Sequence, residues 1–288
     1  MLTAKVSFIA TVLNEADSIQ GFLDSVMAQT QPPAEIIIVD AGSTDNTVKL
    51  IKKYSSVKLV IRPDFNRSQA RNLAVKLAKN KIIAVSDAGC ILNRQWLKCL
   101  TAPFKDKTVL SVAGYYQPKT DTIFQQGVAP FVCVMPDKFN PKTYLPSSRS
   151  LAFKKGTAEY PENLNYCEDL IFAQSLKLAG KMAVEPRALV YWRQVTNFPQ
   201  FFQQIFHYAQ GDVQARYQPH LLKIATVFLR YLIFGLFPPL FILYLFWPIY
   251  KFRRYLKSLS ATLLLPLVQL TADLGVITGA LSGIILSK

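Results

Sequence analysis

Acidic residues follow three of the apolar runs that resemble strands in this sequence. Asp87 comes just after residues 82–85, Asp40 directly follows residues 36–39, and Glu15 lies shortly after the first run. In an open α/β sheet, ligands bind in the crevice beyond the carboxyl ends of the strands. A carboxylate at that edge can meet a sugar hydroxyl or a metal ion bound to phosphate. Each acid alone could instead cap a turn or a helix, but three strands that stop at acids favour binding.

The elements that would place these acids alternate between strand and helix. Four apolar runs rich in β-branched residues are predicted strands, at residues 6–12, 36–39, 57–61 and 82–85. The segments between them have apolar residues at helical spacing. Short connections between such elements predict a mixed, mostly parallel sheet with helices on both faces. Because parallel strands end at the same edge, Glu15, Asp40 and Asp87 are expected to lie close together.

Two common nucleotide-binding motifs are absent from the sequence. No G-x-G-x-x-G follows the first strand and no G-x-x-x-x-G-K-[ST] occurs anywhere, so neither a dinucleotide cofactor nor a P-loop is supported. A diphosphate would then have to be neutralised by a metal on Asp87 and by cations such as Arg67 or Arg71.

The composition narrows the class of partner. The 288-residue chain has a formal net charge of +15, 51% hydrophobic residues and a mean hydropathy of +0.20. This charge suits an anionic membrane face or small molecules that carry phosphate, and no nucleic-acid-binding motif is present, so nucleic acid is not an expected partner. The four cysteines form no C-x-x-C or Cys/His pair, which argues against a zinc site and a disulfide framework and fits a cytoplasmic setting.

The ordered set of motifs resembles the family 2 glycosyltransferases of GT-A fold over about residues 6–217. The motifs are Thr11-Val-Leu-Asn-Glu15, Asp40-Ala-Gly-Ser-Thr-Asp-Asn-Thr47, Ala70-Arg-Asn72, Asp87-Ala-Gly89 and Glu168-Asp169. The resemblance implies a GT-A (Rossmann-like) sheet and a nucleotide-sugar donor.

The resemblance also implies roles for individual residues on the donor side. The expected donor-binding set is Thr11, Glu15, Asp40, Gly42, Ser43, Arg71 and Asp87. Within it, Thr11, Glu15 and Asp40 would hold the nucleoside, with support from Arg71. Asp87 would lie near the donor ribose and bind Mn²⁺ or Mg²⁺. Gly89 stands where the family usually has a second, metal-binding Asp, which leaves the need for a metal and its ligands open.

A second pair of acids, Glu168 and Asp169, begins a predicted helix that ends at Gly180. Acids in the first turn of a helix favour its macrodipole, and that is the structural alternative. The resemblance makes Asp169 the catalytic base, with Glu168 beside it. An inverting transfer needs one carboxylate to take the proton of the acceptor hydroxyl while cations stabilise the departing nucleoside diphosphate.

Candidate contacts to the diphosphate or the acceptor occur later in the chain. Arg149 is placed to meet a phosphate, or else it is a solvated arginine beside a turn. Gln204, His207 and Tyr208 resemble the family's Q-x-x-R-W element with His and Tyr in place of Arg and Trp, which argues against processive polymer synthesis. Residues 117–146 have no clear periodicity and are typical of a lid or substrate loop.

The last quarter of the chain is strongly apolar and predicts a membrane anchor. Between residues 224 and 250, Arg230 is the only ionisable side chain besides the tyrosines. Pro238 and Pro239 interrupt this run, and a hairpin over residues 221–250 would keep the basic turn at 251–257 on the side of the catalytic domain. Each arm is short for a full span, so a re-entrant hairpin stays open as an alternative.

The final apolar stretch, residues 259–286, predicts one more helix. Its leucine stripe suits an interfacial helix or one packed on the hairpin, and Gly275, Gly279 and Gly283 at a spacing of four permit close helix contact. The chain is therefore expected to consist of a glycosyltransferase domain at 1–217 and membrane-anchoring helices at 218–288.

The sequence thus predicts an inverting glycosyltransferase at the cell membrane, with its catalytic domain facing the cytoplasm. It would move a sugar from a nucleoside-diphosphate donor, with UDP the expected nucleotide, to a lipid-linked or glycan acceptor. Two alternatives stay open. The first is a membrane scaffold that has kept the fold and lost the chemistry, which Gly89 leaves open. The second is a sugar-phosphate nucleotidyltransferase, which shares the α/β layout, although no glycine-rich loop with a following Arg opens after the first strand.

Overall fold

The computed structural model describes residues 5–286, and within that range it contains eight strands and ten α-helices. The strands are β1 (Val6–Val12), β2 (Glu35–Asp40), β3 (Val57–Ile61), β4 (Ile82–Val85), β5 (Cys90–Leu92), β6 (Val109–Lys119), β7 (Leu151–Lys154) and β8 (Lys181–Arg193). The helices are α1 (Ile19–Met27), α2 (Thr47–Ile51), α3 (Arg67–Leu77), α4 (Trp96–Thr101), α5 (Ile123–Val132), α6 (Glu168–Ala179), α7 (Phe198–Gln214), α8 (Gln218–Leu236), α9 (Pro239–Phe252) and α10 (Leu259–Leu286).

The chain divides into two compact units. The first comprises the residues through Gln117 together with Pro136–Arg193, and its centre is the sheet. The second comprises Pro118–Met135 and the residues from Gln194 onward, and it is helical.

The eight strands form one sheet in the order β3-β2-β1-β4-β7-β6-β8-β5. The strands β3, β2, β1 and β4 pair in parallel, whereas β7 is antiparallel to β4 and β6, and β5 is antiparallel to β8. In the parallel half, Val12 lies opposite Asp40, so β1 and β2 end at the same edge. This sheet confirms the predicted mixed α/β fold class.

Both faces of the sheet are covered by helices, which explains why its parallel strands are almost continuously apolar. On one face, Ile9 is fully buried in a cluster with residues of α3 and α6, including Phe172. On the other face, the ring of Phe8 lies 5.9 Å from those of Phe22 in α1 and Trp96 in α4. Neighbouring residues of β1 therefore anchor opposite layers, and each such side chain contributes about 1.5–3 kcal/mol of burial energy.

The expectation that residues 117–146 form an irregular loop is wrong for part of that segment. Thr122 and Gln125 form a capping box that starts α5, in which each side chain accepts a hydrogen bond from the other's backbone N–H. The sequence signal for this helix is the Thr-x-x-Gln spacing. Aromatic residues and Pro130, which lies inside the helix, obscured the apolar periodicity.

The three glycines of α10 form its contact surface with α7. A Cβ atom added at Gly279 would lie 2.2 Å from the carbonyl oxygen of Phe206, and one at Gly283 would lie 2.9 Å from that of Gln210. The expected close contact through these glycines is therefore present. The predicted leucine stripe is exposed, since Leu263, Leu267, Leu274, Leu281 and Ile284 are each about half exposed or more.

We expect Gly279→Ala to destabilise the protein by about 1–3 kcal/mol, because the new methyl group would collide with backbone that cannot rotate away. Gly235→Ala is the matched control, since an added Cβ at this helical glycine meets nothing within 4 Å. It should be neutral or slightly stabilising. Thermal unfolding in detergent, followed by circular dichroism, compares the two. Equal losses of Tm would show that the α7–α10 contact does not limit stability.

The helices α8 and α9 fold back on one another at the Pro238-Pro239 pair. The ring of Phe234 lies 5.5 Å from Phe241 and 5.1 Å from Tyr244. Two helices, α8 and α10, are long and apolar enough to cross a membrane by length and composition.

A buried carboxylate, Asp273 of α10, ties these helices together. The hydroxyls of Tyr231 and Tyr244 donate to its Oδ2 at 3.1 and 2.7 Å, and Gln269 donates to its Oδ1 at 3.0 Å. Arg230 adds an ion pair at 3.5 Å. Because both oxygens are satisfied from α8, α9 and α10, we assign this carboxylate a structural role.

Candidate active site

Side chains join the loops that follow β1 and β2. The backbone N–H of Asn14 donates to Ser43 Oγ at 2.8 Å, and that of Thr44 donates to Asn14 Oδ1 at 2.9 Å. The N–H of Glu15 donates to Thr47 Oγ1 at 2.7 Å. Asn14 has a φ of 55°, in the left-handed region that asparagine tolerates better than most residues. The two loops therefore form one continuous wall at the edge of the sheet.

Asp40 is fully buried at the end of β2, and half of its carboxylate is committed to the loop that follows. Its Oδ1 accepts the backbone N–H groups of Gly42 at 3.0 Å and Ser43 at 2.9 Å. Gly42 adopts a φ of 101°, which favours glycine. The other oxygen, Oδ2, is buried and has no hydrogen-bond partner among residues 5–286. A buried acceptor without a donor is costly, so this atom is ready to accept an N–H from a ligand.

Thr11 and Glu15 lie beside Asp40 on the neighbouring strand and its loop. Thr11 pairs in register with Val39, one residue before Asp40. The hydroxyl of Ser18 donates to Glu15 Oε2. Burial raises the pKa of Glu15, and the negative charge of Asp87 raises it further. The loops after β1 and β4 thus bring the Glu15 and Asp87 carboxylates within electrostatic range of each other.

Arg71 links Asp87 to Glu168, which begins α6. A capping box between Asn66 and Gln69 fixes the first turn of α3, and Arg71 follows one turn later. The buried guanidinium donates to Asp87 Oδ1 and to Glu168 Oε1, each at 2.8 Å. Burial raises the pKa of Asp87, but the charges of Arg71, Arg149 and Arg67 together outweigh it and leave that pKa below its usual range.

Glu168 is almost completely buried and its carboxylate is occupied. Besides Arg71, it contacts the half-exposed Arg67 at 3.4 Å. Its predicted place in the catalytic set is compatible with this geometry only as a positioning role, because two guanidinium groups hold its Oε1.

Asp169 is the acid that the structure leaves uncommitted. It is half-buried in the first turn of α6, and no described hydrogen bond or ion pair occupies its carboxylate in residues 5–286. Burial raises its pKa, and the neighbouring charge of Glu168 raises it further. The preceding residue, Cys167, has a φ of 65°, a strained conformation of the kind that clusters at functional sites. A carboxylate with a raised pKa suits a general base.

Arg149 lies over two aromatic rings, within electrostatic range of Asp87 and Asp169. Its guanidinium carbon lies 3.7 Å from the centre of the Trp192 ring and 5.2 Å from that of Tyr116. Its charge helps to lower the pKa of Asp87 and opposes the effect of burial on Asp169. These ring contacts could not be predicted from local sequence patterns, because the two rings come from β6 and β8, on either side of Arg149 in the chain.

The remaining predicted contacts lie on α7, in the second unit. Gln204 Nε2 donates to the hydroxyl of Tyr208 at 3.0 Å. The ring of His207 lies 5.6 Å from that of Phe206, at a steep angle. The residues predicted to bind the diphosphate or the acceptor thus come from both units.

The carboxylates fit a metal that is shared with a ligand better than one enclosed by protein. Within residues 5–286, no group of three or more His, Cys, Asp or Glu side chains could hold a metal ion. Asp87 keeps one oxygen away from Arg71, and an added Cβ at Gly89 would meet nothing within 4 Å. Mg²⁺ commonly uses one or two carboxylates and completes its shell with substrate phosphates and water. Asp87 would supply one such ligand if a metal binds.

Named relatives match parts of this sequence. The family model described as Glycosyl transferase family 2 matches residues 7–159, more than half of the chain. The O-antigen chain rhamnosyltransferase RfbN of Salmonella typhimurium is 27% identical over 205 residues, 65% of each chain. Glycosyltransferase AglE of Haloferax volcanii is 34% identical over 100 residues, 32% of this chain and 33% of AglE. The matches thus span less than two thirds of these relatives.

Solved structures agree on the fold. The mannosyltransferase PcManGT from Pyrobaculum calidifontis, in complex with GDP-Man and Mn²⁺, matches 98% of this chain and 74% of its own, with a TM-score of 0.58 and 18% identity. S. aureus TarS 1-349 with UDP-GlcNAc matches 71% and 65%, with a TM-score of 0.53 and 18% identity. Together with the family match, this similarity shows that the chain belongs to glycosyl transferase family 2 and is a glycosyltransferase of GT-A-like fold.

Proposed function

We propose that this protein transfers a sugar, with inversion, from a nucleoside-diphosphate donor to an acceptor held at a membrane. The observation that carries the proposal is the uncommitted carboxylate of Asp169, which lies within electrostatic range of Arg149 and Asp87. A general base, a cation near the leaving group and an acid on the donor side are the groups that such a displacement uses.

In the proposed reaction, the acceptor hydroxyl attacks the anomeric carbon while Asp169 accepts its proton. The bond between that carbon and the diphosphate oxygen breaks, and the nucleoside diphosphate leaves with the electron pair. Arg149 is positioned to stabilise the negative charge that develops on the diphosphate. Mn²⁺ or Mg²⁺ on Asp87, when bound, would supply further positive charge there. Arg71 orients the donor-side acid through its ion pair with Asp87, and its ion pair with Glu168 holds the first turn of α6, which carries Asp169.

The free Oδ2 of Asp40 supports a donor base that carries a ring N–H. Uracil, thymine and guanine present such a donor, whereas the ring nitrogen of cytosine is an acceptor that a carboxylate would repel. UDP is the nucleotide we favour. The nucleotides in complex with the two structural neighbours, GDP-Man and UDP-GlcNAc, both carry this N–H. Thr11, Glu15, Gly42 and Ser43 would complete the nucleoside pocket.

Asp40→Asn tests this pocket. The Asn oxygen can still accept the N–H groups of Gly42 and Ser43, but an NH₂ group now replaces the free oxygen. We expect UDP to bind roughly 10- to 100-fold more weakly, because two donors would face each other, and CDP to lose much less. Calorimetric titration of the full chain in detergent with UDP, dTDP, GDP and CDP, with and without Mn²⁺ or Mg²⁺, measures this.

Two results of that titration would count against the proposal. Equal weakening of UDP and CDP would remove Asp40 from base recognition. No binding of any nucleotide by the unmodified chain would favour the alternative of a scaffold that kept the fold and lost the chemistry.

The membrane part of the proposal is supported by the apolar helices α8 and α10 and by the basic residues at and after the end of α9. Lys251, Arg253, Arg254 and Lys257 suit a cytoplasmic position under the positive-inside tendency. We therefore propose that the glycosyltransferase domain, residues 1–217, faces the cytoplasm and that residues 218–288 anchor it to the cell membrane. The acceptor would be a lipid-linked or glycan molecule. Arg149 in the first unit, and Gln204, His207 and Tyr208 in the second, are each proposed contacts to the diphosphate or the acceptor.

A further inference from the structure

An apolar groove lies within the second unit. The helix α8 lines it with Leu221, Ile224, Ala225 and Phe228, whose spacing places them on one helical face, and α10 contributes Ala280 and Ile284. Its volume is about 520 Å³, within the range of ligand pockets, roughly 300–1,000 Å³. The groove therefore has room for a hydrocarbon chain and offers it almost entirely apolar contacts.

A single cation marks one side of this groove. Arg216 follows the end of α7 and is the charged residue among those that line the groove. Its side chain is exposed, and no carboxylate within residues 5–286 forms an ion pair with it. Asp212, one turn earlier, is instead bound by His220 Nδ1 at 2.9 Å. A free guanidinium beside an apolar groove is complementary to an anionic head group with an apolar tail.

The backbone at Arg216 gives a second, independent reason to look for a ligand. Its φ of 50° lies in the left-handed region, at the position after a helix where glycine is favoured. An arginine is strained in this conformation, whereas a glycine would not be. A side chain that adds strain and gains no described ion pair is explained if it acts on a group outside the chain.

We infer that the groove holds the hydrocarbon tail of a lipid phosphate and that Arg216 binds its phosphate. The guanidinium can donate two parallel hydrogen bonds to phosphate oxygens, and the tail removes apolar surface of α8 and α10 from water. The inference deepens the proposed function, on which it rests for the idea of a membrane-held acceptor, by naming the chemical class of the lipid.

Photolabelling locates the lipid directly. The full chain is placed in phosphatidylcholine nanodiscs that contain phosphatidic acid with a diazirine in one acyl chain, and labelled peptides are mapped by mass spectrometry. We expect labels within residues 221–228 and 280–284. Unlabelled phosphatidic acid should compete for them, whereas diacylglycerol and inorganic phosphate should not. Labels elsewhere, or equal competition by diacylglycerol, would overturn the inference, and competition by inorganic phosphate would indicate a simple anion site instead.

Two pairs of variants separate the phosphate contact from the tail contact. Arg216→Gly relieves the backbone strain, so the fold is preserved, yet labelling should fall at least about tenfold, whereas Arg216→Lys should retain most of it. Ala225→Trp fills the groove and should also reduce labelling. Leu222→Trp adds the same ring at an exposed position outside the groove lining and should not. Unchanged labelling in Arg216→Gly or Ala225→Trp would refute the inference.

UDP titration of each variant keeps this test separate from that of the proposed function. If UDP binds but no specific lipid labelling occurs, the lipid site is rejected and the proposed function is not. If the unmodified chain does not bind UDP, the proposed function is rejected, whatever the labelling shows.

Discussion

Asp169→Asn is expected to lower kcat by about 10²–10⁴-fold while leaving the Kd for UDP unchanged. General-base catalysis contributes this much, and an amide of the same shape cannot take the proton of the acceptor hydroxyl. The Asn side chain should also preserve the fold, because the structure describes no hydrogen bond that depends on the Asp169 carboxylate. Steady-state transfer with a nucleotide-sugar donor gives kcat, and calorimetry gives Kd.

Glu159→Gln is the control for loss of a negative charge, since Glu159 is exposed and is not one of the predicted site residues. Its kcat should match that of the unmodified protein. Substantial turnover by Asp169→Asn would remove Asp169 from the role of base.

The pH dependence of transfer offers a test that does not rely on complete loss of activity. Burial and Glu168 raise the pKa of Asp169, and the base works only as a carboxylate, so kcat should fall as the pH drops through this raised pKa. In Glu168→Gln, the neighbouring negative charge is gone and the pKa should fall, so the acid limb should move to lower pH. An unmoved limb would mean that another group controls it.

Arg71→Met is expected to destabilise the protein by about 3–5 kcal/mol and to weaken donor binding. The substitution leaves the buried Glu168 and the partly buried Asp87 without their shared cation. Arg67→Met is the matched control, because Arg67 contacts the same Glu168 carboxylate but is half exposed, and such pairs contribute about 0–1 kcal/mol. Urea unfolding followed by circular dichroism yields both free energies of unfolding.

If the two arginine variants lose equal stability, the ion pairs of Arg71 do not organise the site. A further comparison with UDP titration is informative. Arg67→Met should keep a measurable Kd at a temperature where Arg71→Met has begun to unfold.

The ends of the parallel strands were predictable because their burial on both faces requires continuous apolar runs. The runs of β1, β2 and β4 stop where polar residues begin, so Asp40 and Asp87 could be placed at one edge from the sequence. The turn after β2 could also be predicted from the sequence, because Gly42 is followed by residues that favour turns.

Contacts that join distant parts of the chain could not be predicted from local patterns. Arg71 and Glu168 are 97 residues apart, and only the tertiary fold brings them to 2.8 Å. The same holds for the contacts of Arg149 with the rings of Tyr116 and Trp192. For α10, hydrophobic periodicity highlighted the leucines, whereas close helix packing depends on small residues such as Gly279 that permit backbone approach.

The arginines and acids at the centre of the first unit affect whether a donor enters with or without a divalent cation. Arg67, Arg71 and Arg149 already face Asp87, Glu168 and Asp169, so this set is close to neutral before a donor enters. A nucleoside diphosphate would add negative charge to a balanced centre. We therefore expect the donor to enter most readily as a complex with a divalent cation, as a pair of nearly matched charge, and its affinity to respond more to that cation than to monovalent salt.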